Sequence, residues 1–296
     1  MAPVARTPCS TLASSREAMA TGSLPAAPAA PAPRLTLGST PDMAAPVLTE
    51  RRENVLLVTL NRPEARNAVN RVTAEGIAAA LDELDGEEEL RAGVITGAGG
   101  TFSAGMDLKA FVAGERPYVE GRGSGGIVQG PPRKPLVAAV EGYAVALGFE
   151  IVLACDLVAA ARDARFGLPE VKRSLVAVAG GLIRLPRRIP YHVAMELALT
   201  GDFVDAERAH ALGVVNRLAE PGGAVEAALE LAGTVARNGP LAVEASKRIV
   251  RGAAEWTEQE AWERQGEIAG PVFTSEDARE GATAFAEKRD PVWRGR

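Results

Sequence analysis

Two glutamates stand out as candidates for acid–base chemistry. Glu150 lies in the first turn of a predicted helix, and Glu170 follows a proline at the start of a largely apolar stretch. Partial burial in such surroundings raises the pKa of a carboxyl group toward neutrality, where it can exchange protons. The alternatives are a charge that only favours the helix dipole, for Glu150, and an ordinary surface glutamate, for Glu170. The local sequence leaves both alternatives open.

Two glycine-rich segments could present backbone N–H groups to an anion. Residues 97–109 form a flexible turn followed by a compact corner, and residues 142–150 lead from a strand into the helix that carries Glu150. The first segment lacks the glycine spacing of a dinucleotide-binding or P-loop motif. Corners and helix starts leave N–H donors unpaired, so these segments favour the stabilisation of a developing oxyanion.

Metal binding and a disulfide scaffold have no support in the sequence. The chain has two cysteines and two histidines, and they form no cluster at metal-ligand spacing. Cys155 stands in an apolar run, which predicts a small buried thiol rather than a nucleophile. We therefore expect no metal site and a reducing, cytoplasmic compartment. The four residues are Cys9, Cys155, His192 and His210.

The composition is that of a globular protein and excludes two classes of partner. Of the 296 residues, 47% are apolar and 24% are charged, with a net charge of −5. Because no basic stripe could follow a phosphate backbone, we expect no nucleic-acid partner. No run of about 18 apolar residues occurs, so we expect no membrane span.

The sequence divides into three regions, and the second and third must position these groups. Residues 1–46 are rich in alanine and proline, which predicts a disordered arm, or a start of translation placed upstream of Met43. Residues 47–200 alternate strand and helix patterns, among them a helix capped by Asn70, and predict an α/β fold. Residues 201–296 are mainly helical by their periodicity.

Five motifs, in order along the chain, give residues 47–296 a clear resemblance to a known family. The sequence resembles the crotonase family, whose members are enoyl-CoA hydratases and isomerases. The motifs are LNRPEARNA at 60–68, FSAGMDLK at 102–109, EGYAVALGFE at 141–150, FGLPE at 166–170 and REGATAFAEKR at 279–289.

This resemblance implies a fold, a substrate and a set of catalytic groups. The fold would be a spiral of ββα units with a helical C-terminal region that builds trimers or dimers of trimers. The substrate would be an acyl-CoA thioester, and no cofactor is needed because coenzyme A enters as part of the substrate. The backbone N–H groups of Met106 and Leu147 would hold the thioester enolate. Glu150 and Glu170 would hold a water and shuttle its proton.

The resemblance also implies contacts to coenzyme A. The Ala65–Arg66 turn and the corner at 104–109 would hold the adenine and pantetheine arm through backbone groups, and Lys109 could reach a phosphate. Phe285 and Lys288 match positions that reach coenzyme A bound to a neighbouring subunit; a core phenylalanine and a solvated lysine are the alternatives. The set is Ala65, Arg66, Ala104, Asp107, Leu108, Lys109, Phe285 and Lys288.

The presence of both glutamates favours an enoyl-CoA hydratase. Addition of water to a conjugated double bond needs a base for the water and an acid for the α-carbon, and two neighbouring carboxyls can share the proton required. A double-bond isomerase, the first alternative, needs Glu170 alone. The second alternative is a catalytically silent protein of this fold that binds acyl-CoA.

Several positions depart from the family pattern, and two of them, Leu147 and Val178, motivate the silent alternative. Leu147 and Val178 stand where relatives usually have glycine, and Ser174 replaces another glycine. Residues 113–132 are rich in glycine and proline, where relatives often have a helix that shapes the acyl pocket. A leucine side chain that projects into the site would occupy space that the acyl-CoA needs, so we predict that Leu147→Gly raises kcat/KM on crotonyl-CoA and does not abolish folding.

Overall fold

The β-branched segments of the sequence form strands as predicted, and short strands that the sequence does not reveal join them. The computed structural model describes residues 45–296, so the predicted arm, apart from its last two residues, and the proposed start at Met43 lie outside the described residues. The strands of this part are β1 (Val47–Arg52), β2 (Val55–Leu60), β3 (Ala92–Gly97), β4 (Tyr118–Val119), β5 (Gly123–Ser124), β6 (Leu136–Val140), β7 (Tyr143–Val145), β8 (Leu157–Ala161), β9 (Arg165–Gly167), β10 (Phe203–Asp205) and β11 (Arg217–Ala219).

Six of these strands form the main sheet, in the order β1-β2-β3-β6-β8-β11. β1 pairs antiparallel with β2, and the other neighbours are parallel. A second sheet has the order β10-β9-β7, and β4 pairs with β5 in a separate antiparallel hairpin. Because parallel neighbours need helical crossovers, this arrangement confirms the predicted α/β class.

Helices cover the main sheet and continue beyond it toward the C-terminus. In α1, the side chain of Asn70 accepts a hydrogen bond from the N–H of Thr73 at 3.0 Å, which confirms the predicted cap. The helices are α1 (Arg71–Gly86), α2 (Leu108–Val112), α3 (Leu147–Ala154), α4 (Gly181–Arg184), α5 (Tyr191–Thr200), α6 (Ala206–Ala211), α7 (Ala224–Ala236), α8 (Pro240–Ala253), α9 (Glu258–Phe273) and α10 (Glu276–Glu287).

The core lies on both faces of the main sheet. On one face, side chains of β2 and β3 pack with α1 and α3 in a large cluster that includes Leu81 and Phe149. On the other face, α7 presents Ala228, Ala232 and Ala236 to the sheet, one every four residues. Small side chains at this spacing let α7 lie close to the strands. The sheet is therefore buried on both faces, and α3 packs on the face opposite α7.

The region predicted as mainly helical also contains two strands. β10 and β11 lie beyond residue 200, and β11 extends the main sheet by pairing with β8. Each has only three residues, too few for an alternating pattern to mark it in the sequence. In α1, Val72 is exposed, and the buried face of the helix begins at Thr73. Among the described residues, no helix combines the length and apolarity needed to cross a membrane.

Candidate active site

Both candidate glutamates line one cavity of about 1020 Å³. Its walls are mainly apolar, and Met106 and Leu147, the predicted donors, belong to them. Four basic side chains also line it: Arg66, Arg116, Lys172 and Arg173. The cavity thus combines two acids, an apolar wall and several cations, which suits a ligand with both apolar and anionic parts. In residues 45–296, no group of three or more His, Cys, Asp or Glu side chains is arranged to hold a metal ion.

Glu150 projects from α3, a helix whose eight residues are all buried. Its side chain is 2% exposed, and Oε1 accepts a hydrogen bond from the backbone N–H of Gly181 at 2.9 Å. Burial raises the pKa of Glu150 to about 7; the hydrogen bond from Gly181 opposes this shift, and the charge of Glu170 adds to it. Glu150 can therefore both hold and release a proton near neutral pH.

Gly181 is a site residue that sequence reasoning missed. A Cβ atom at this position would lie 3.1 Å from both Cγ and Oε1 of Glu150 and 3.0 Å from Leu168, so a side chain here would crowd the carboxylate. Gly180, immediately before it, has a φ of +98° and begins the turn into α4. The glycine pair ahead of an apolar helix was the signal in the sequence.

Glu170 lies in a short 3-10 helix, Pro169–Arg173, that follows β9. Its Oε2 is the one buried side-chain oxygen or nitrogen in the described part of the chain that lacks a hydrogen-bond partner. Burial raises its pKa, while a backbone hydrogen bond and the charge of Arg173 oppose the shift. A buried oxygen without a partner is costly, so Glu170 has capacity for a ligand or a water.

Close backbone contacts bring the two predicted donor segments together. The N–H of Ser103 donates to the carbonyl of Tyr143 at 2.9 Å, and the N–H of Val145 donates to the carbonyl of Ser103 at 3.1 Å. Gly105 has a φ of +94°, and a Cβ there would lie 3.2 Å from the backbone nitrogen of Leu147. Glycine at 105 is therefore required for the corner to approach the start of α3.

The N–H groups of Met106 and Leu147 are not used by the local backbone pairing. The bridge between Met106 and Val69 uses the carbonyl of Gly105 and the N–H of Asp107. Leu147 is the first residue of α3, where an N–H has no partner within the helix. Ala146, just before it, has φ +52° and ψ −129°, an unfavourable conformation for a residue with a side chain, and such strain is typical of functional sites.

The side chain of Leu147 is packed in the hydrophobic core beside the cavity. It is 5% exposed and belongs to the core. A Cβ on Gly125 would lie 3.6 Å from Cδ1 of Leu147 and 3.1 Å from Cδ1 of Ile151, so both side chains pack against the turn at Gly125. Because the side chain is packed in this way, its removal is expected to leave a gap in the core, which argues against the predicted rise in kcat/KM for Leu147→Gly.

The other two positions where relatives have glycine, Ser174 and Val178, are exposed at the surface of the protein. Val178 lines the cavity but is 82% exposed, so its side chain can turn into solvent. Ser174 has a φ of +54° as the C-cap of the 3-10 helix, a left-handed conformation that explains why glycine suits this position.

The residues that the resemblance assigns to coenzyme A divide into two groups. Arg66, Ala104 and Leu108 line the cavity, whereas Ala65 and Lys109 lie outside its lining. Asp107 is also outside the lining, and its carboxylate caps α2 through the N–H groups of residues 109 and 110 and pairs with Arg62 at 3.1 Å.

Phe285 and Lys288 lie on α10 and at its C-cap, and neither lines the cavity. Phe285 is 88% exposed, so the alternative of a core phenylalanine is wrong.

The glycine-rich segment 113–132 contains the β4–β5 hairpin and no helix in this structure. Arg116, Tyr118 and Ser124 from this segment line the cavity, and none of the three is predicted as a site residue from the sequence. Their contribution depends on how the hairpin packs against distant parts of the chain, which local sequence patterns do not reveal.

Comparison with known proteins agrees with this geometry. The family model for enoyl-CoA hydratase/isomerase matches residues 50–296. The crystal structure of an enoyl-CoA hydratase from Mycobacterium tuberculosis H37Rv is 57% identical, with a TM-score of 0.84, and the match covers 85% of this chain and 100% of that one.

Two curated relatives are similar over nearly their full length. Enoyl-CoA hydratase EchA19 of Mycobacterium tuberculosis is 42% identical over 272 residues, covering 88% of this chain and 99% of the relative. Carnitinyl-CoA dehydratase of Salmonella enteritidis is 42% identical over 255 residues, covering 83% and 97%. With its α/β spiral and helical C-terminal region, the chain belongs to the enoyl-CoA hydratase/isomerase family, the crotonase family.

Proposed function

We propose that this protein is an enoyl-CoA hydratase, a hydro-lyase that adds water to the double bond of a 2-enoyl-CoA thioester. The observation that carries the proposal is the pair of glutamates in one cavity, each with a raised pKa. The relatives named enoyl-CoA hydratase and carnitinyl-CoA dehydratase support hydration or dehydration of a CoA thioester. No cofactor is required, because coenzyme A is part of the substrate.

In the proposed reaction, the two carboxyls share one proton. The ionised carboxylate takes a proton from the water as its oxygen bonds to the β-carbon, and the electron pair of the double bond moves onto the thioester as an enolate. The protonated carboxyl then gives its proton to the α-carbon, and the thioester carbonyl is restored. The free Oε2 of Glu170 and the pKa of Glu150, about 7, suit these roles.

The enolate oxygen is proposed to accept hydrogen bonds from the N–H groups of Met106 and Leu147. Preorganised donors of this kind stabilise developing charge strongly, and the loss of one costs about 10²–10³ in rate. The support is structural: both residues line the cavity, and their N–H groups are left unused by the neighbouring backbone.

Coenzyme A is proposed to bind along Arg66, Ala104 and Leu108, with Ala65, Asp107 and Lys109 shaping the adjoining turns. Phe285 and Lys288 are proposed to reach the coenzyme A of a neighbouring copy in a trimer or a dimer of trimers. The exposure of Phe285 supports this role, because its ring is accessible to a neighbouring copy.

The test is hydration of crotonyl-CoA and longer 2-enoyl-CoA thioesters in water enriched in oxygen-18. We expect one labelled oxygen at the β-carbon of the product. Movement of the double bond without label would establish the isomerase alternative, which uses Glu170 alone. Tight binding of acyl-CoA without turnover of any thioester would establish the silent alternative.

A further inference from the structure

The β4–β5 hairpin forms a fixed wall of the cavity. A Cβ on Gly126 would lie 2.0 Å from the carbonyl oxygen of Ala74 in α1, and Gly125 contacts the side chains of Leu147 and Ile151 in α3. The segment that directly follows β5 is therefore wedged between two helices of the core. A wall held in this way presents its side chains to a ligand without rearrangement.

Three polar side chains on this wall lie close together. Tyr118 and Ser124 are directly opposite each other in the hairpin, and both line the cavity. Arg116, which also lines it, precedes Tyr118 by two residues. The cavity wall therefore has an apolar side chain at Leu147 and polar side chains at the hairpin.

These polar groups have unused hydrogen-bonding capacity. Within residues 45–296, Arg116 forms no ion pair, and its Nη1 alone donates, to the carbonyls of Phe111 and Glu115. The carboxylate of Glu115 accepts instead from the backbone N–H of Arg71 at 2.7 Å. The hydroxyl of Tyr118 has a single long contact, 3.5 Å to Gln129.

The same arrangement disfavours a cation. The Arg116 guanidinium lies over the Phe111 ring, 4.2 Å from its centroid. One face of the Phe111 ring is therefore already covered by a positive charge, and the guanidinium itself repels a quaternary ammonium group placed beside it. An anion at this place instead gains charge-assisted hydrogen bonds from a planar donor.

We propose that the acyl chain of the substrate ends in a carboxylate and that Arg116 binds this group, with Ser124 and Tyr118 beside it. The inference rests on the proposed hydratase function and specifies its substrate class. Arg116 and Tyr118 are both exposed residues, so a carboxylate bound there keeps part of its hydration and is not fully desolvated. An acyl chain with a methyl end leaves these donors to water and gains nothing from them.

The experiment compares three 2-enoyl-CoA thioesters that differ at the far end of the acyl chain. They are 2-hexenedioyl-CoA with a carboxylate, 2-hexenoyl-CoA with a methyl group, and 4-trimethylammonio-2-butenoyl-CoA with a quaternary ammonium group. We expect the wild-type protein to have a kcat/KM at least about tenfold higher for the carboxylate than for the other two. Failure to hydrate any thioester, crotonyl-CoA included, would contradict the proposed function itself.

Variants then assign the preference to Arg116. Arg116→Met is expected to lower kcat/KM for 2-hexenedioyl-CoA by about tenfold or more and to leave 2-hexenoyl-CoA within about twofold, whereas Arg116→Lys keeps part of the preference. Arg208→Met, an exposed arginine on α6 outside the cavity lining, is the control and should change neither. Hydration with no preference for the carboxylate, or equal losses on both substrates in Arg116→Met, would overturn the inference.

Discussion

Two groups of helices in this chain differ sharply in how they are held. In α3 all eight residues are buried, and they carry Leu147 and Glu150. Neither α8, with 14 residues, nor α9, with 16, has a buried residue, and Trp262 and Phe273 of α9 are exposed. Within one chain, tertiary packing therefore fixes the helix of the site, while the C-terminal helices keep apolar side chains available for a further surface, consistent with the proposed oligomer.

The largest expected difference between the two regions is the effect of a glutamate-to-glutamine substitution on kcat. Glu150→Gln and Glu170→Gln should each lower kcat by about 10²-fold or more while CoA affinity stays close to wild type, because they remove proton transfer and keep the shape. Glu260→Gln on α9 is the matched control and should leave kcat unchanged, since Glu260 only completes the cap of that helix.

Steady-state kinetics on crotonyl-CoA measure these effects. A loss confined to Glu170→Gln would instead support the isomerase alternative. Full activity in both site variants would remove this pair from the mechanism.

Truncation of an apolar side chain should lower the free energy of unfolding much more in α3 than in α9. Leu147→Ala is expected to lower the free energy of unfolding by about 2–5 kcal/mol, because it empties a packed position against Gly125 and Ile151. Leu147→Gly should lose at least as much, and its kcat/KM should fall. Phe273→Ala on α9 should cost less than about 0.5 kcal/mol in dilute monomer.

Urea unfolding at several protein concentrations, with sedimentation to follow assembly, checks this contrast. Similar losses for Leu147→Ala and Phe273→Ala in the monomer would break the comparison. Higher kcat/KM in Leu147→Gly would show that leucine obstructs the site after all.

The buried carboxyl of α3 also predicts a dependence of stability on pH. The pKa of Glu150 is about 7 in the folded chain and about 4.5 when unfolded, so the folded state binds the proton more tightly between these values. The free energy of unfolding should therefore fall as pH rises from 4.5 to 7, by up to about 3 kcal/mol, and this contribution should change little above pH 7.

Comparison of Glu150→Gln with the wild type over this range isolates the contribution, because glutamine does not titrate. The variant should lack this part of the slope, and Glu260→Gln should retain it. Parallel stability curves for wild type and Glu150→Gln would contradict the raised pKa.

The smallest expected effect concerns two alanine-to-glycine substitutions, which should change the free energy of unfolding in opposite directions. Ala146→Gly should raise the free energy of unfolding by about 1 kcal/mol, because glycine adopts a φ of +52° without the strain of a Cβ. Ala261→Gly inside α9 should lower it by about 0.5–1 kcal/mol through lost helix propensity. Denaturant melts measure both, and a loss of stability in Ala146→Gly would show that its backbone is not strained.

Local patterns in the sequence were sufficient for much of the architecture. Helix α8, Pro240–Ala253, lies in the C-terminal region that periodicity predicts to be mainly helical, and the cap at Asn70 follows from one side chain and its near neighbours. The ordered motifs also identified the family and directed attention to Glu150 and Glu170. These features depend on residues a few positions apart, so the linear sequence contains them.

Only the tertiary structure decided how distant segments meet at the site. Gly181 reaches Glu150 across 31 residues, and the hairpin with Arg116 and Ser124 becomes a cavity wall by packing against α1 and α3. The direction of the Leu147 side chain was likewise open in the sequence, because it depends on the space left beside Gly125. Such contacts arise from the packing of whole elements, and the identity of a residue does not specify which distant group it will touch.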